Sequence, residues 1–277
     1  MSEPTPPDTR EEMETVRSAD GTEIAFERTG SGPPLVLVHG GACDHRFWEL
    51  SGVRPAFADN CTVYAMDCRG VGESGDDAEY ELEQEFEDVA AVVDAIDDPV
   101  TLLGHSSGAL LSLEAALRTD NLHKLILYEP PIQVGDHELY SEEVLAEMKR
   151  LLNAGRNEEV LVLFLQEIAQ STPEEIDEQR SAPDWKDLVD VAHVWPRSVQ
   201  AVGEYEFDAA RFATMTTPTL LLSGSESPPL LKDVTEPLDD ALPNSQIVTF
   251  DGHGHEAMLT APDRFIEEVL AFFRETN

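Results

Sequence analysis

The chain has 277 residues, room for one large α/β or barrel domain, or for one domain carrying an insertion. Hydrophobic residues at 41% and charged residues at 27% supply material for a core and exclude global disorder. With 18 basic and 56 acidic residues the formal net charge is −38, a field that repels DNA, RNA and anionic membranes and excludes them as partners.

Residues 1–14 are rich in Pro and acids, with neither a basic n-region nor an apolar h-region. They read as a disordered tail and not as a signal peptide, so a cytoplasmic location is expected. The longest apolar run, residues 160–165, is far short of a membrane span. Two strand-like runs, 15–17 and 22–28, flank Ala19-Asp20-Gly21 and predict a hairpin. Leu35-Val36-Leu37-Val38 is a continuous apolar run, the mark of a strand buried on both faces. Further strands are predicted at 62–66, 100–103, 125–128, 219–222 and 247–250. Leu82, Phe86, Val89, Val93 and Ile96 have the spacing of an amphipathic helix, and Phe265, Val269 and Phe272 repeat it. Strands alternating with helices predict an α/β fold with a mostly parallel central sheet covered on both faces. Residues 133–212 break the rhythm with helical patterns alone, one opened by Thr172-Pro173-Glu174-Glu175, a capped N-terminus. The predicted organisation is thus a tail (1–14), a core (15–132 and 213–277) and a helical cap or lid (133–212).

Gly104-His105-Ser106-Ser107-Gly108 follows the strand 100–103 and precedes a helical pattern. This is G-x-S-x-G in its required context, strand, sharp turn, helix, with Ser106 at the tip as the expected nucleophile. A serine hydroxyl needs an oriented base. Asp251-Gly252-His253-Gly254-His255 lies between the last strand and the last helix; His255 is the preferred base and His253 its competitor. Two histidines at i and i+2 lack an obvious third ligand, so no metal site is expected. An oxyanion hole needs backbone N–H donors. Gly41, in Val38-His39-Gly40-Gly41-Ala42, is the first expected donor and Ser107 the second, with His39 as a hydrogen-bonding loop anchor. Trp48, behind that loop, and His105, beside the nucleophile, are expected against substrate.

Together these residues resemble the α/β-hydrolase family from about residue 15 onward. His39-Gly40-Gly41 is similar to the family's oxyanion loop, and Asp67-Cys68-Arg69-Gly70-Val71-Gly72-Glu73-Ser74 to its D-x-R-G-x-G-x-S segment. Residues 104–108 resemble its nucleophile elbow, Gly254-His255 its histidine loop, and the helical insertion its cap. The acid departs from the pattern. Where the family shows Gly, two residues, then Asp, this chain has Gly224-Ser225-Glu226-Ser227. Glu226, one residue early but one methylene longer than Asp, is the preferred acid. Glu129, in Leu127-Tyr128-Glu129-Pro130-Pro131, is the alternative, at the strand end used by members resembling haloalkane dehalogenases. The resemblance implies a serine hydrolase acting on an ester or similar small acyl compound, without a metal or organic cofactor. Carbon–carbon bond hydrolysis, thioesterase or acyltransferase activity and cofactor-free haloperoxidase-like chemistry would use the same residues. A ligand-binding module is the non-enzymatic alternative.

Gly70-Val71-Gly72-Glu73-Ser74-Gly75 matches the dinucleotide pattern, but Asp76 and Asp77 would oppose a pyrophosphate. Cys43, Cys61 and Cys68 match no zinc spacing and are expected as free thiols. The acids are spread along the chain and lysine is limited to Lys124, Lys149, Lys186 and Lys232. That balance resembles proteins of salt-accumulating halophiles: at about 1 M salt the Debye length is roughly 3 Å and self-repulsion is screened.

Overall fold

A computed structural model describes residues 13–135 and 137–275. The expected tail lies outside the described residues except for its last two positions, and Glu14 already belongs to a strand.

Among the described residues, eight strands form one sheet: β1 (Glu14–Arg17), β2 (Glu23–Gly30), β3 (Pro34–Val38), β4 (Thr62–Met66), β5 (Val100–His105), β6 (Leu122–Tyr128), β7 (Thr219–Gly224) and β8 (Ser245–Phe250). Their spatial order is β1-β2-β4-β3-β5-β6-β7-β8. β1 and β2 form the antiparallel hairpin, β2 runs antiparallel to β4, and every later neighbour is parallel. All eight expected strands are present, mostly a few residues longer than their apolar runs.

Successive side chains on a strand point to opposite faces, so each strand serves two cores. Val36, Val38, Leu102, Leu125 and Leu127 enter one cluster, with the helix Leu82–Asp94. Leu35, Leu37, Leu103, Ile126 and Tyr128 enter the other, with the helix Pro262–Arg274. Each such Leu or Val, fully covered, contributes about 1.5–3 kcal/mol of transfer free energy. Continuous apolar runs are therefore what a sheet covered on both faces demands.

Between β6 and β7 the chain leaves the sheet. Five helices, Glu142–Asn153, Asn157–Glu167, Pro173–Arg180, Trp185–Asp190 and Val194–Gly203, pack around a third cluster that includes Phe164 and Trp195. The expected cap at Thr172 is made: its hydroxyl accepts from Glu175 N–H, and the Glu175 carboxylate accepts from Thr172 N–H. Arg197 of this region forms paired hydrogen bonds of 2.9 and 2.7 Å with Asp76, on the loop after β4, and His193 meets the same carboxylate.

Candidate active site

The carboxyl ends of β3, β5, β6 and β7 and the loop after β8 converge on an open-mouthed cavity of about 440 Å³, partly roofed by residues of the helical segment. Ser106 stands at its floor, between β5 and the helix Ser107–Ala115. Its φ of 55° is rare for a residue with a side chain. The turn is held tight by its flanking glycines. A Cβ on Gly104 would overlap the Gly108 carbonyl, and one on Gly108 would overlap the carbonyls of Val38 and His39. The helix that begins at Ser107 directs its N-terminal amides at the place where charge would develop on a reacting carbonyl.

His255 also lines the cavity. Its Nδ1 lies 2.7 Å from Glu129 Oε2 and donates to it, which leaves Nε2 as the proton acceptor. Glu129 follows the last residue of β6, with φ of 45° and 1% exposure. Its carboxylate accepts three further hydrogen bonds: from the Ser223 hydroxyl (3.1 Å), Gly224 N–H (2.7 Å) and the Ser227 hydroxyl (2.9 Å). A buried anion with four donors is well satisfied.

Glu226 is placed elsewhere. Its side chain is exposed and accepts from the Ser225 hydroxyl, while its backbone N–H donates to the His253 carbonyl at 2.9 Å. The order of preference between the two acids is therefore reversed: the carboxylate in contact with the imidazole is Glu129. The extra methylene of Glu226 does not help, because at its position the loop turns the side chain to solvent. Ser227, standing where the family pattern has its acid, points inward and hydrogen-bonds Glu129, just past the end of β6. The competitor His253 is turned to the Thr260 hydroxyl at 2.9 Å.

Gly41 lies in the cavity wall, where a Cβ would press on the Phe164 ring. His39 is buried; its Nδ1–H donates to the Gly40 carbonyl and its Nε2 accepts from Cys68 N–H at 3.0 Å. Burial keeps this ring neutral by lowering its pKa, so it braces the loop. Trp48 does not reach the cavity. It is fully buried beneath the loop against Phe47 and His105, because the short helix Phe47–Leu50 turns that side chain into the core. His105 touches the cavity but is 3% exposed and stacks on Phe47. Its Nε2–H donates to the His255 carbonyl at 3.0 Å, and burial drives its pKa well below the ordinary value. It holds the His255 loop from below and offers a ligand almost no surface.

Three residues that the sequence reading passed over complete the support. The Tyr128 hydroxyl donates to the Gly254 carbonyl at 2.7 Å, and Ser223 and Ser227 hold Glu129. Only Ser227 carried a signal, by occupying the position of the missing acid.

The segment after β4 is a brace. Asp67 accepts from His45 N–H and from its ring at 2.9 and 2.8 Å, and from Glu73 N–H at 3.0 Å. A Cβ on Gly72 would overlap that carboxylate, so the glycines serve this packing and leave no cradle for a pyrophosphate. Arg69 is buried in a two-point pair with Asp88. Asp44, His45 and Asp67 bring ligand-type atoms within 4.8 Å of one another. Arg46 already engages Asp44, and the bonds just described engage Asp67. Cys43, Cys61 and Cys68 are free thiols.

A family model described as "Alpha/beta hydrolase family" matches residues 35–268. An alpha/beta hydrolase from Sphaerobacter thermophilus is similar in structure: TM-score 0.80, 36% identity, covering 94% of this chain and 100% of that one. The pimeloyl-[acyl-carrier protein] methyl ester esterase of Aeromonas hydrophila is 28% identical, over 90% of this chain and 98% of its own. An esterase from Exiguobacterium antarcticum shares the fold with TM-score 0.71 at 20% identity, covering 94% of this chain and 99% of that one.

Proposed function

Because the chain belongs to the alpha/beta hydrolase family, we propose that it is a serine hydrolase of small esters or related acyl compounds, working through Ser106, His255 and Glu129. The observation that carries this is one constellation: Ser106 on its strained turn and His255, with Nδ1 on the buried Glu129, line the same cavity. Ser106 Oγ attacks the substrate carbonyl while His255 Nε2 takes its proton. Gly41 and Ser107 N–H groups receive the oxyanion. The imidazolium then protonates the leaving group, and Glu129 stabilises it throughout. Water, activated by His255, releases the acyl group. The helical segment 133–212 acts as the lid that shapes the pocket and restricts water. Relatives named as esterases support the ester reading.

We also read the excess of acids as adaptation to high salt, so the assay belongs in about 2 M salt. Under those conditions short-chain p-nitrophenyl esters are hydrolysed, and Ser106→Ala lowers kcat by at least about 10³-fold. Equal turnover by both proteins would remove the serine mechanism. Tight ligand binding without turnover by either would favour a binding module.

A further inference from the structure

The walls of the cavity carry charge of one sign. Among the described residues that line it, Glu138 and Glu256 are acidic, and none is Lys or Arg. His137, at the same wall, is taken up by Asp233 at 3.3 Å. The remaining surface is largely apolar, from Leu139, Phe164, Ile168, Val199 and Leu231. Glu256 directly follows the base and shares its cavity wall. Although Glu256 keeps solvent exposure, desolvation by the surrounding walls pushes its carboxyl above the ordinary range; His255 works against that shift and Glu175 adds to it.

A substrate carboxylate entering here would lose water, meet no guanidinium or ammonium, and face a second carboxylate. At about 5 Å and an effective dielectric of about 20, two like charges repel by roughly 3 kcal/mol, a factor on the order of 100 in rate or affinity. A neutral ester of the same length loses nothing comparable and gains the apolar walls.

We propose that this site accepts uncharged esters with an apolar acyl chain and rejects esters that carry a free carboxylate, with Glu256 as the specificity-determining side chain. The proposal rests on the serine-esterase reading above and deepens it. It is distinct from repulsion by the whole surface, which about 1 M salt screens beyond roughly 3 Å. Glu256 keeps solvent exposure at the cavity wall, so what distinguishes its effect is locality: it acts on the substrate held beside it and one substitution removes it, whereas the surface field stays.

The test compares dimethyl adipate with monomethyl adipate, followed by methanol release at about pH 8 in about 2 M salt. The expected kcat/KM ratio is on the order of 100 in favour of the diester, and Glu256→Gln removes most of that preference. Glu226→Gln, on the exposed loop outside the cavity, leaves the ratio where it was. A ratio near one, a ratio that collapses in molar salt, or one that Glu256→Gln does not narrow overturns the proposal. A fluorophosphonate label separates the two levels of failure. Labelled Ser106 with no preference for the neutral ester sinks the charge inference alone; an unlabelled Ser106 with neither ester hydrolysed sinks the esterase reading, and the inference with it.

Discussion

Two glutamates of this molecule are equally hidden, Glu129 at 1% exposure and Glu114 at 0%, yet their surroundings differ in kind. Glu114, on the helix behind Ser106, is gripped by guanidinium groups. Arg211 approaches with two nitrogens at 2.6 and 2.7 Å, Arg118 with one at 2.7 Å, and the Tyr205 hydroxyl adds a fourth bond at 2.7 Å. Glu129 has two hydroxyls, one amide and an imidazole. None of those partners carries a permanent charge. The anion at Glu114 is matched by fixed cations and ties the helix to the chain entering β7. The anion at Glu129 is matched by a full positive charge only when His255 takes a proton, which is what a base in acyl transfer must do. Burial alone separates nothing; the partner set does.

The largest effect that bears on this contrast is catalytic. Glu129→Gln keeps the shape of the side chain but removes the anion, and is expected to lower kcat by about 10²–10⁴-fold. Glu226→Gln should leave kcat within about twofold, as expected of an exposed side chain off the cavity. Steady-state ester hydrolysis, with circular dichroism to verify folding, checks both. Loss of activity in Glu226→Gln and not in Glu129→Gln would reverse the assignment.

Glu114→Gln should do the opposite. Breaking a buried pair while its arginines remain costs at most about 3 kcal/mol of stability here, the low end for such pairs because Arg211 and Arg118 keep solvent exposure, read by denaturant unfolding, with kcat little changed. Burial acts to raise the Glu114 pKa, but the bonds from Arg211, Tyr205 and Arg118 outweigh it and hold the carboxyl below its ordinary value. A depressed pKa contributes stability that is present above the unfolded-state value and is lost as pH falls through the folded one.

Glu85 has the other sign and the next smaller effect. Burial, with help from Asp88 and against the Tyr80 hydroxyl bond, raises its pKa to about 7. Its folded state keeps a proton that the unfolded chain releases near pH 4.5, so its contribution is present below that value and is lost as pH rises to about 7. The span is on the order of 3 kcal/mol. Glu85→Gln should flatten the stability profile between about pH 5 and 7, measured as unfolding midpoints. An unchanged slope would show that other groups carry it.

The inner strands were legible because a sheet buried on both faces needs uninterrupted apolar runs, and the edge hairpin because of its Ala19-Asp20-Gly21 turn. That Ser106, Gly41 and His255 line one cavity was legible because their turns need glycines at fixed offsets. The acid was not. In a chain with 56 acidic residues a single Glu carries little signal, and what selects Glu129 is the meeting of the tips of β6 and β7 with the loop after β8. That meeting depends on strand order: β7 inserts beside β6 after an excursion of about ninety residues. Trp48 was misplaced for a related reason. Its position beside the oxyanion loop is visible in sequence, whereas the direction of its side chain is set by the pitch of a one-turn helix.

The central claim is that Ser106 is the activated nucleophile of the cavity. Treatment of the intact protein with a serine-reactive fluorophosphonate, followed by intact mass and peptide mapping, tests it most directly. A single adduct on Ser106, absent in Ser106→Ala and slowed in Glu129→Gln, is the expected result. An adduct on another residue, or none while the protein remains folded, would contradict it.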